Sequence, residues 1–474
     1  MNDRKHICKI AAMSLLIGAG SVNPVQSADF IPQDVAPTCE ITASEFSSWK
    51  DKGNTFQPAD GLTFNDTKIC TFYKWSWQTF LWLTSERNGN FVFNSDTFFD
   101  VDGNGDMTQD GNFSLRSEKF DAVAQAGSDG VLLDQNSSLV YYGVHVNNHF
   151  AYLMEGLANG DIHLDQYPDN WNEMQQVLTY ESRHGDPGSD PRPMVMEIKT
   201  SWVKLQDSET DKHLTITGLV PDYHKDSNCT WTWNQKQMKK VTLGLVGMHV
   251  VATVKGHPEM VWSTFEHNDN APNNTYFYYK NTVAPENIVQ VDSFDASGSP
   301  VSKNWRFFSK DGNKNNANKE SASYSYTGTT STIASTSTIA GTNKCSKGIG
   351  PSNIYRINPW GSLPNNSQEK LTGSVPNNTM ILSSNYSAQR NLDNDLRANY
   401  SLIASIWTSG GCIPGGKKPC PDSKLRGSHK AANATMETFK QKTVCFTCHS
   451  ASGNPPNNFE ISHIYKSIQS QLKK

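Results

Sequence analysis

The middle of the chain repeats short runs of β-branched and aromatic residues, and this pattern constrains the fold more than any other feature. Clusters of Gly, Pro, Asn and Asp separate the runs, as is typical of strands joined by turns. The spacing predicts strands over residues 138–146, 195–203, 213–217, 241–254 and 260–265. These strands predict a β-rich body domain over residues 28–310.

Helical patterns are fewer than strand patterns. Apolar residues recur at helical spacing from Lys68 to Thr84, and Asp66 and Thr67 are placed to cap that helix. Further helices are expected over residues 391–407, 431–441 and 463–472. The sequence therefore predicts an α+β fold, with a β-rich body and a small helical C-terminal segment that carries the site described below.

Residues 311–350 differ in composition from the sequence on either side. They are rich first in Asn and Lys and then in Ser and Thr. Low-complexity composition of this kind indicates an exposed insertion or linker. The chain is thereby divided into the body, this insertion and a C-terminal segment at 351–474.

The C-terminal segment contains Cys445-Phe446-Thr447-Cys448-His449, which has C-x-x-C-H spacing. At this spacing two thiols can add to the two vinyl groups of a haem, and the adjacent imidazole can bind the iron. The motif predicts one covalent haem c on Cys445 and Cys448, with His449 as the proximal ligand. Two alternatives are a redox disulfide and half of a zinc site. The loop after the motif does not suit a redox site, and no second Cys or His pair lies close by in the sequence.

A second iron ligand is needed if the haem only transfers electrons, whereas an exchangeable position is needed for chemistry at the iron. No Met follows the motif, and the sole later His is His463, fourteen residues on. His463 is therefore expected to be the distal ligand, with Met436 and Met380 as alternatives. Met436 and Phe439 lie three residues apart in a predicted helix, so they would share a face that packs either on the porphyrin or in the protein core.

The first 27 residues have the pattern of a secretory signal peptide. Arg4, Lys5 and Lys9 precede an apolar run at residues 10–19, and small residues follow up to Ser27. The run is too short to span a membrane, and no later segment is apolar enough to do so. We therefore expect a periplasmic or secreted protein without a membrane span. Such a compartment is where c-type haem is attached, and it also permits disulfides.

Six cysteines remain after Cys8 and the two haem thiols are set aside, and six allow three disulfides. Cys412 and Cys420 bracket a turn-rich loop and form the first expected pair. The other two pairs are expected by default and are Cys39 with Cys70 and Cys229 with Cys345.

Charge is distributed unevenly along the chain. Residues 411–474 carry a net charge of +7, whereas residues 28–410 carry −13. A basic collar around a haem edge could steer a redox partner protein with an acidic docking surface by long-range attraction. The same collar could instead pack against the acidic body of its own chain. Nothing in an exported acidic chain supports nucleic-acid binding.

An Asp/Gly-rich stretch has the spacing that opens a calcium loop. Asp100, Asp102, Asn104 and Asp106 supply oxygen donors at positions one, three, five and seven. The Glu that usually stands at position twelve is missing, and Gly111 takes its place. These four residues are candidate calcium ligands, and an ordinary β-turn is the alternative.

A second polar group follows the last predicted strand of the body. It comprises Glu266, His267 and Asp269, and His249 lies on the neighbouring predicted strand. Such a group can bind a metal or act as a general acid and base. The alternative is that these side chains hold a turn. No G-x-S-x-G, phosphate-loop, H-E-x-x-H or Rossmann motif occurs in the sequence.

Several stretches share a pattern with a known group of proteins. They are residues 73–84, 247–250, 261–272, 432–439, 445–449 and 462–465. Together they resemble exported bacterial cytochrome-c-like proteins of uncharacterised function with a single C-terminal C-x-x-C-H haem motif. The resemblance spans most of the chain outside the Ser/Thr-rich insertion. It implies covalent haem and export, and it implies no substrate.

Three functions remain open from the sequence, one of which uses the body as a binding module with the haem as a redox tether. The first is one-electron transfer by an exported monohaem protein with a redox partner. The alternative is a haem-dependent periplasmic oxidoreductase whose β-rich body binds a small-molecule substrate. The large body favours the alternative, whereas the lack of a sharp catalytic motif favours electron transfer.

Overall fold

The computed structural model describes residues 30–101, 114–115, 119–120, 122–127, 130–227, 229–234, 236–301, 304–337, 347–361, 374–417 and 420–468. The expected signal peptide at residues 1–27 lies outside this part of the chain. Among the described residues, no helix has both the length and the apolar character needed to cross a membrane.

The regular elements are numbered here in chain order. The described α-helices are α1 (Ala43–Trp49), α2 (Ile69–Leu83), α3 (Asn148–Asn159), α4 (Trp171–Arg183), α5 (Val375–Leu392), α6 (Cys445–Cys448) and α7 (His463–Ile468). The first described strands are β1 (Glu86–Arg87), β2 (Asn90–Phe91), β3 (Phe98–Val101), β4 (Ser114–Leu115), β5 (Val140–Asn147), β6 (Met196–Lys204), β7 (Thr215–Pro221), β8 (His224–Ser227) and β9 (Thr230–Trp233). The later strands are β10 (Met238–Val254), β11 (His257–His267), β12 (Tyr276–Tyr279), β13 (Ile288–Val291), β14 (Ala322–Thr327), β15 (Thr330–Ser335), β16 (Tyr400–Thr408) and β17 (Leu425–Gly427).

A nine-stranded antiparallel sheet forms the centre of the described structure. Its order is β17-β16-β11-β10-β6-β5-β3-β4, and β7 pairs with the first half of the long strand β10. The five predicted strands correspond to β5, β6, β7, β10 and β11 and are confirmed. The large antiparallel sheet with fewer helices confirms the α+β, β-rich fold. Strands of the body and of the C-terminal segment share this sheet.

The two faces of β11 pack against different partners because successive side chains of a strand point to opposite sides. On one face, Phe265 stacks on Phe80 of α2 with ring centres 4.3 Å apart, and the Ser263 hydroxyl lies 2.7 Å from that of Ser76. On the other face, Trp262 contacts Phe446 and the Thr264 hydroxyl accepts a hydrogen bond from Asn433. The sheet therefore separates α2 from the residues around the C-x-x-C-H motif.

The helix predictions are partly confirmed. Helix α2 matches the predicted helix, but it begins after Lys68 without a side-chain cap, so the capping role of Asp66 and Thr67 is wrong. Helix α7 confirms the start of the predicted 463–472 helix over its described residues. The helix predicted over 391–407 is wrong, because residues 400–408 form strand β16. Strand β16 is buried along its whole length, and a strand buried on both faces lacks the alternation of apolar and polar residues that would distinguish it from a helix.

Part of the low-complexity segment is a sheet rather than a linker. Strands β14 and β15 pair with each other, and β15 pairs with β9 to complete a four-stranded sheet in the order β14-β15-β9-β8. Ala322 and Ile333 of this hairpin are fully buried in the main core. Residues 338–346 lie outside the described part.

Two of the three expected disulfides are confirmed. Cys39 pairs with Cys70 of α2, and Cys412 pairs with Cys420. Cys229 is also disulfide-bonded, and its expected partner Cys345 lies outside the described residues. Disulfides of this number are typical of proteins that fold in an oxidising compartment.

Candidate haem-binding cleft

The C-x-x-C-H motif forms the single turn of α6 and lines an open cleft. The His449 amide donates a 2.9 Å hydrogen bond to the Cys445 carbonyl, which closes the turn. Cys445 is half-buried, Cys448 is exposed, and neither is in a disulfide. Both cysteines and His449 line the same cleft, which holds about 1100 Å³ of empty space including its mouth. The two thiols and the imidazole of the motif therefore face one space.

The central sheet supplies the opposite wall of this cleft. Val144, Lys199, His249 and Thr264 lie in register across β5, β6, β10 and β11, and all four line the cleft. The next row contains three more lining residues, namely Glu197, Val251 and Trp262. This wall thus combines apolar side chains with a few charged ones in the middle of a buried sheet.

His449 is held as a neutral imidazole with one nitrogen available. Its ring packs against Trp262 with ring centres 4.2 Å apart. Burial, together with the neighbouring His463, holds the pKa of His449 well below its usual range. Its Nδ1 lies 3.1 Å from the Ile461 carbonyl, which can only accept, so Nδ1 carries the proton. The lone pair is then on Nε2, and this is the arrangement found in metal-binding histidines.

His463 lies beside His449 instead of across the cleft from it. The two rings are stacked with centres 4.0 Å apart and an angle of 21° between their planes. The Nε2 of His463 also lies 3.3 Å from the Cys448 carbonyl. Imidazole–metal bonds are about 2 Å long, so two imidazoles on opposite faces of one iron have ring centres about 6 Å apart. Iron ligation by both residues therefore requires this stack to open.

The two alternative distal ligands lie elsewhere. Met436 is buried in a small core cluster that also contains Tyr142 and Phe307, and the half-buried Phe439 packs against that cluster. Met380, in α5, packs against the main core. Among the residues that line the cleft within the described chain there is no methionine.

The helix predicted over residues 431–441 is wrong, because this segment is a series of turns. Hydrogen bonds to the sheet replace those of a helix. The Asn433 side chain donates to Thr264, and the Ala434 amide donates to Glu266 at 2.8 Å. The Asn433 amide is bound by the Glu437 carboxylate, also at 2.8 Å. Competition from such polar side chains is what disfavours a helix here.

The environment of the Cys445 thiol favours its protonated form. Burial, with a smaller contribution from Glu437, raises the pKa of Cys445 to about 12. Redox-active C-x-x-C pairs instead have a cysteine whose pKa is lowered, because the thiolate is the reactive form. The local environment of Cys445 therefore does not favour the redox-disulfide interpretation. Across the described residues, no three His, Cys, Asp or Glu side chains are grouped so as to hold a metal ion.

The candidate calcium ligands are only partly within the described chain. Asp100 lies in β3, and its carboxylate is 2.6 Å from Nδ1 of His145. Asp102, Asn104 and Asp106 lie outside the described residues, so the calcium site stays a prediction.

The expected site that combines Glu266, His267 and Asp269 with His249 does not form. Glu266 pairs with the buried Arg356, and His267 stacks on His213 with ring centres 4.0 Å apart. His249 instead lies in the cleft beside the motif, where its Nε2 is 2.8 Å from the Glu437 carboxylate. The structure thus assigns these residues to different environments.

Sequence reasoning missed the charged residues of the cleft wall, Glu197 and Lys199. They alternate with apolar residues in a strand that was predicted, so they could have been recognised as two charges on one face of a central strand. Glu197 accepts a hydrogen bond from Ser462, the residue just before His463. This contact ties the C-terminal residues that surround His449 to the sheet.

We expect the stability contributed at Glu197 to decrease as pH rises. Burial raises the pKa of Glu197 to about 7 from an ordinary value of 4.5. Between these values the folded protein keeps the proton and the unfolded chain loses it, so the free energy of unfolding falls with increasing pH. This difference between the two pKa values corresponds to a fall of about 3 kcal/mol in the free energy of unfolding. Urea unfolding of the wild type and of Glu197→Gln from about pH 4 to about pH 8 measures it. Parallel pH profiles for the two proteins would contradict the expectation.

No protein-family model, curated protein or solved structure matches this chain. The cleft and its motif are therefore the features from which a function can be inferred.

Proposed function

We propose that this chain is an exported monohaem c-type cytochrome-like protein, which binds haem covalently through Cys445 and Cys448 and transfers one electron. One observation carries the proposal: two free thiols and a neutral imidazole from the same C-x-x-C-H turn face a single cleft. The donor set fits haem because thioether formation needs the two thiols and the iron needs the imidazole. The apolar side chains Val144 and Val251 suit the porphyrin face.

The residues around His449 would orient it as the proximal ligand. The Ile461 carbonyl fixes which nitrogen carries the proton and makes the other nitrogen a better electron donor. Trp262 restricts rotation of the ring by packing against it. A bound haem would supply the one-electron Fe(III)/Fe(II) couple.

We propose that the partner is a redox protein with an acidic docking surface. Lys424, Lys440 and Lys442 of the basic collar are exposed and lie in the segment that carries or precedes the motif. Lys417 supports the competing idea that the collar packs on the body, because it pairs with Asp165 at 3.4 Å. The exposed lysines leave positive charge available for steering.

We expect replacement of His463 by alanine to open the iron to external ligands. His463 is proposed as the distal ligand, and it reaches that position when the stack with His449 opens. The reduced wild-type protein should show sharp α and β absorption bands that CO does not change, as for a six-coordinate low-spin haem. The His463→Ala protein should bind CO and lose these bands.

His249→Ala is the matched control, since His249 lines the cleft from the sheet. If only the His249→Ala protein gained CO binding, His249 and not His463 would be the distal ligand. If the wild type itself bound CO, the haem would have an open position. The haem-dependent oxidoreductase with a small-molecule substrate would then be the better proposal, and the size of the cleft is the observation that favours it.

A further inference from the structure

Lys199 is a mostly enclosed cation that faces the cleft. Its Nζ donates to the backbone carbonyl of Gln125 at 3.2 Å and lies 5.4 Å from the centre of the Tyr142 ring. An ammonium group has three donors, and a charged group in a buried place is costly unless it is paired. Burial lowers the pKa of Lys199. The nearby Glu437 carboxylate, whose charge acts on Lys199, is itself bound to His249 and to the Asn433 amide.

A second lysine lies at the same edge of the cleft. The side chain of Lys440 packs closely on Gly127. A Cβ atom added to Gly127 would lie only 2.8 Å from Cγ of Lys440. Gly127 is two residues from Gln125, whose carbonyl binds Lys199. Both lysines line the cleft, and the side chains of both contact the 125–127 segment at this edge.

The charge of this edge favours a negatively charged group. The carboxylates that line the cleft are Glu197 and Glu437. Burial raises the pKa of Glu197 to about 7, so near neutral pH this carboxyl carries only part of its negative charge. Although burial alone would raise the pKa of Glu437, His249 and Lys199 lower it, so Glu437 is ionised and offsets one of the two lysines. The positive charge of the two lysines therefore exceeds the negative charge of these two carboxylates.

We propose that Lys199 and Lys440 form a carboxylate-binding site at this edge of the cleft. The carboxylate has two possible sources, a haem side chain or a small free carboxylate. The first source rests on the proposed function, because it requires a bound haem. Haem carries two carboxylates on one edge of its ring. The second source does not depend on haem.

The test compares the holoprotein with Lys199→Met, Lys440→Gln and the control Lys442→Gln. Lys442 is an exposed lysine two residues from Lys440 that does not line the cleft. Lys199→Arg keeps the charge and shows whether loss of the cation, rather than loss of packing, causes any effect. The reduction potential is measured by spectroelectrochemical titration. Binding of acetate and succinate, as probes, is measured by calorimetry.

If a haem carboxylate occupies the site, Lys199→Met and Lys440→Gln lower the reduction potential, because removing a nearby cation favours the ferric form. Lys442→Gln and Lys199→Arg stay close to the wild type, and the probes do not bind. If a free carboxylate occupies it, the potential hardly changes, and the wild type binds a probe at least tenfold more tightly than Lys199→Met. An unchanged potential together with no probe binding overturns the site. If the chain carries no haem, the proposed function fails, and calorimetry on that chain still decides whether the site exists.

Discussion

Replacing both Cys445 and Cys448 by serine should leave the exported chain without covalent haem. Thioether bonds need the two sulfur atoms, and these are the free thiols among the described cysteines. The haem content of the denatured protein, measured by in-gel peroxidase staining, should fall to background. The apolar cleft should remain, because α6 contributes only one turn to the fold.

The matched control is the double replacement of Cys412 and Cys420 by serine. It removes the same number of sulfur atoms and opens a disulfide that closes a short loop. By the loop-entropy estimate it should cost about 2–3 kcal/mol of stability while leaving haem attached. Covalent haem on the Cys445→Ser/Cys448→Ser chain would contradict the assignment. Equal loss of haem in both chains would show that stability, not the motif, controls attachment.

Replacing Arg356 by methionine should destabilise the sheet next to the motif. Its guanidinium is 2% exposed and lies 2.5 Å from the fully buried Glu266 carboxylate, and it also donates to the Ala271 carbonyl. Removing one partner of a buried pair leaves an uncompensated charge and costs about 3–5 kcal/mol. Glu266 also accepts from Ala434, so the segment before α6 should loosen. Urea unfolding measures the loss.

Arg390→Met is the control for Arg356→Met. Arg390 forms an exposed pair with Glu40 at 3.1 Å, and such pairs contribute less than about 1 kcal/mol. The double variant Arg356→Met/Glu266→Leu should recover much of the stability, because replacing both partners of a buried pair by apolar residues is often close to neutral. A loss for Arg356→Met no larger than that for Arg390→Met would contradict the role assigned to this pair.

The strands of the central sheet could be predicted from sequence because each is a short β-branched run between turn residues. Strand β16 and helix α5 could not. Strand β16 is buried on both faces, so its sequence does not alternate between apolar and polar residues. Helix α5 lacks an apolar stripe because it buries Asn385, Ser383 and Ser387, which are satisfied by tertiary hydrogen bonds. Local sequence does not reveal such partners, which for Ser383 and Ser387 lie more than 300 residues away.

The motif could be found from sequence, whereas the cleft around it could not. Trp262, Lys199 and His249 come from three strands, and only the sheet register places them opposite His449. The stacking of His463 on His449 also depends on the path of the loop between them, which contains Ile461 and its hydrogen bond to His449. Spacing alone identified His463 as the next imidazole but did not give its orientation.

The most direct test is the intact mass of the chain exported from a host with c-type haem maturation. The protein is denatured before measurement so that non-covalent haem is lost. The proposal predicts a mass greater than that of the processed polypeptide by one haem, and a tryptic peptide containing Cys445 and Cys448 that carries the whole increase. A chain with the mass of the polypeptide alone, with both thiols open to alkylation, would contradict covalent haem binding and with it the proposed electron transfer.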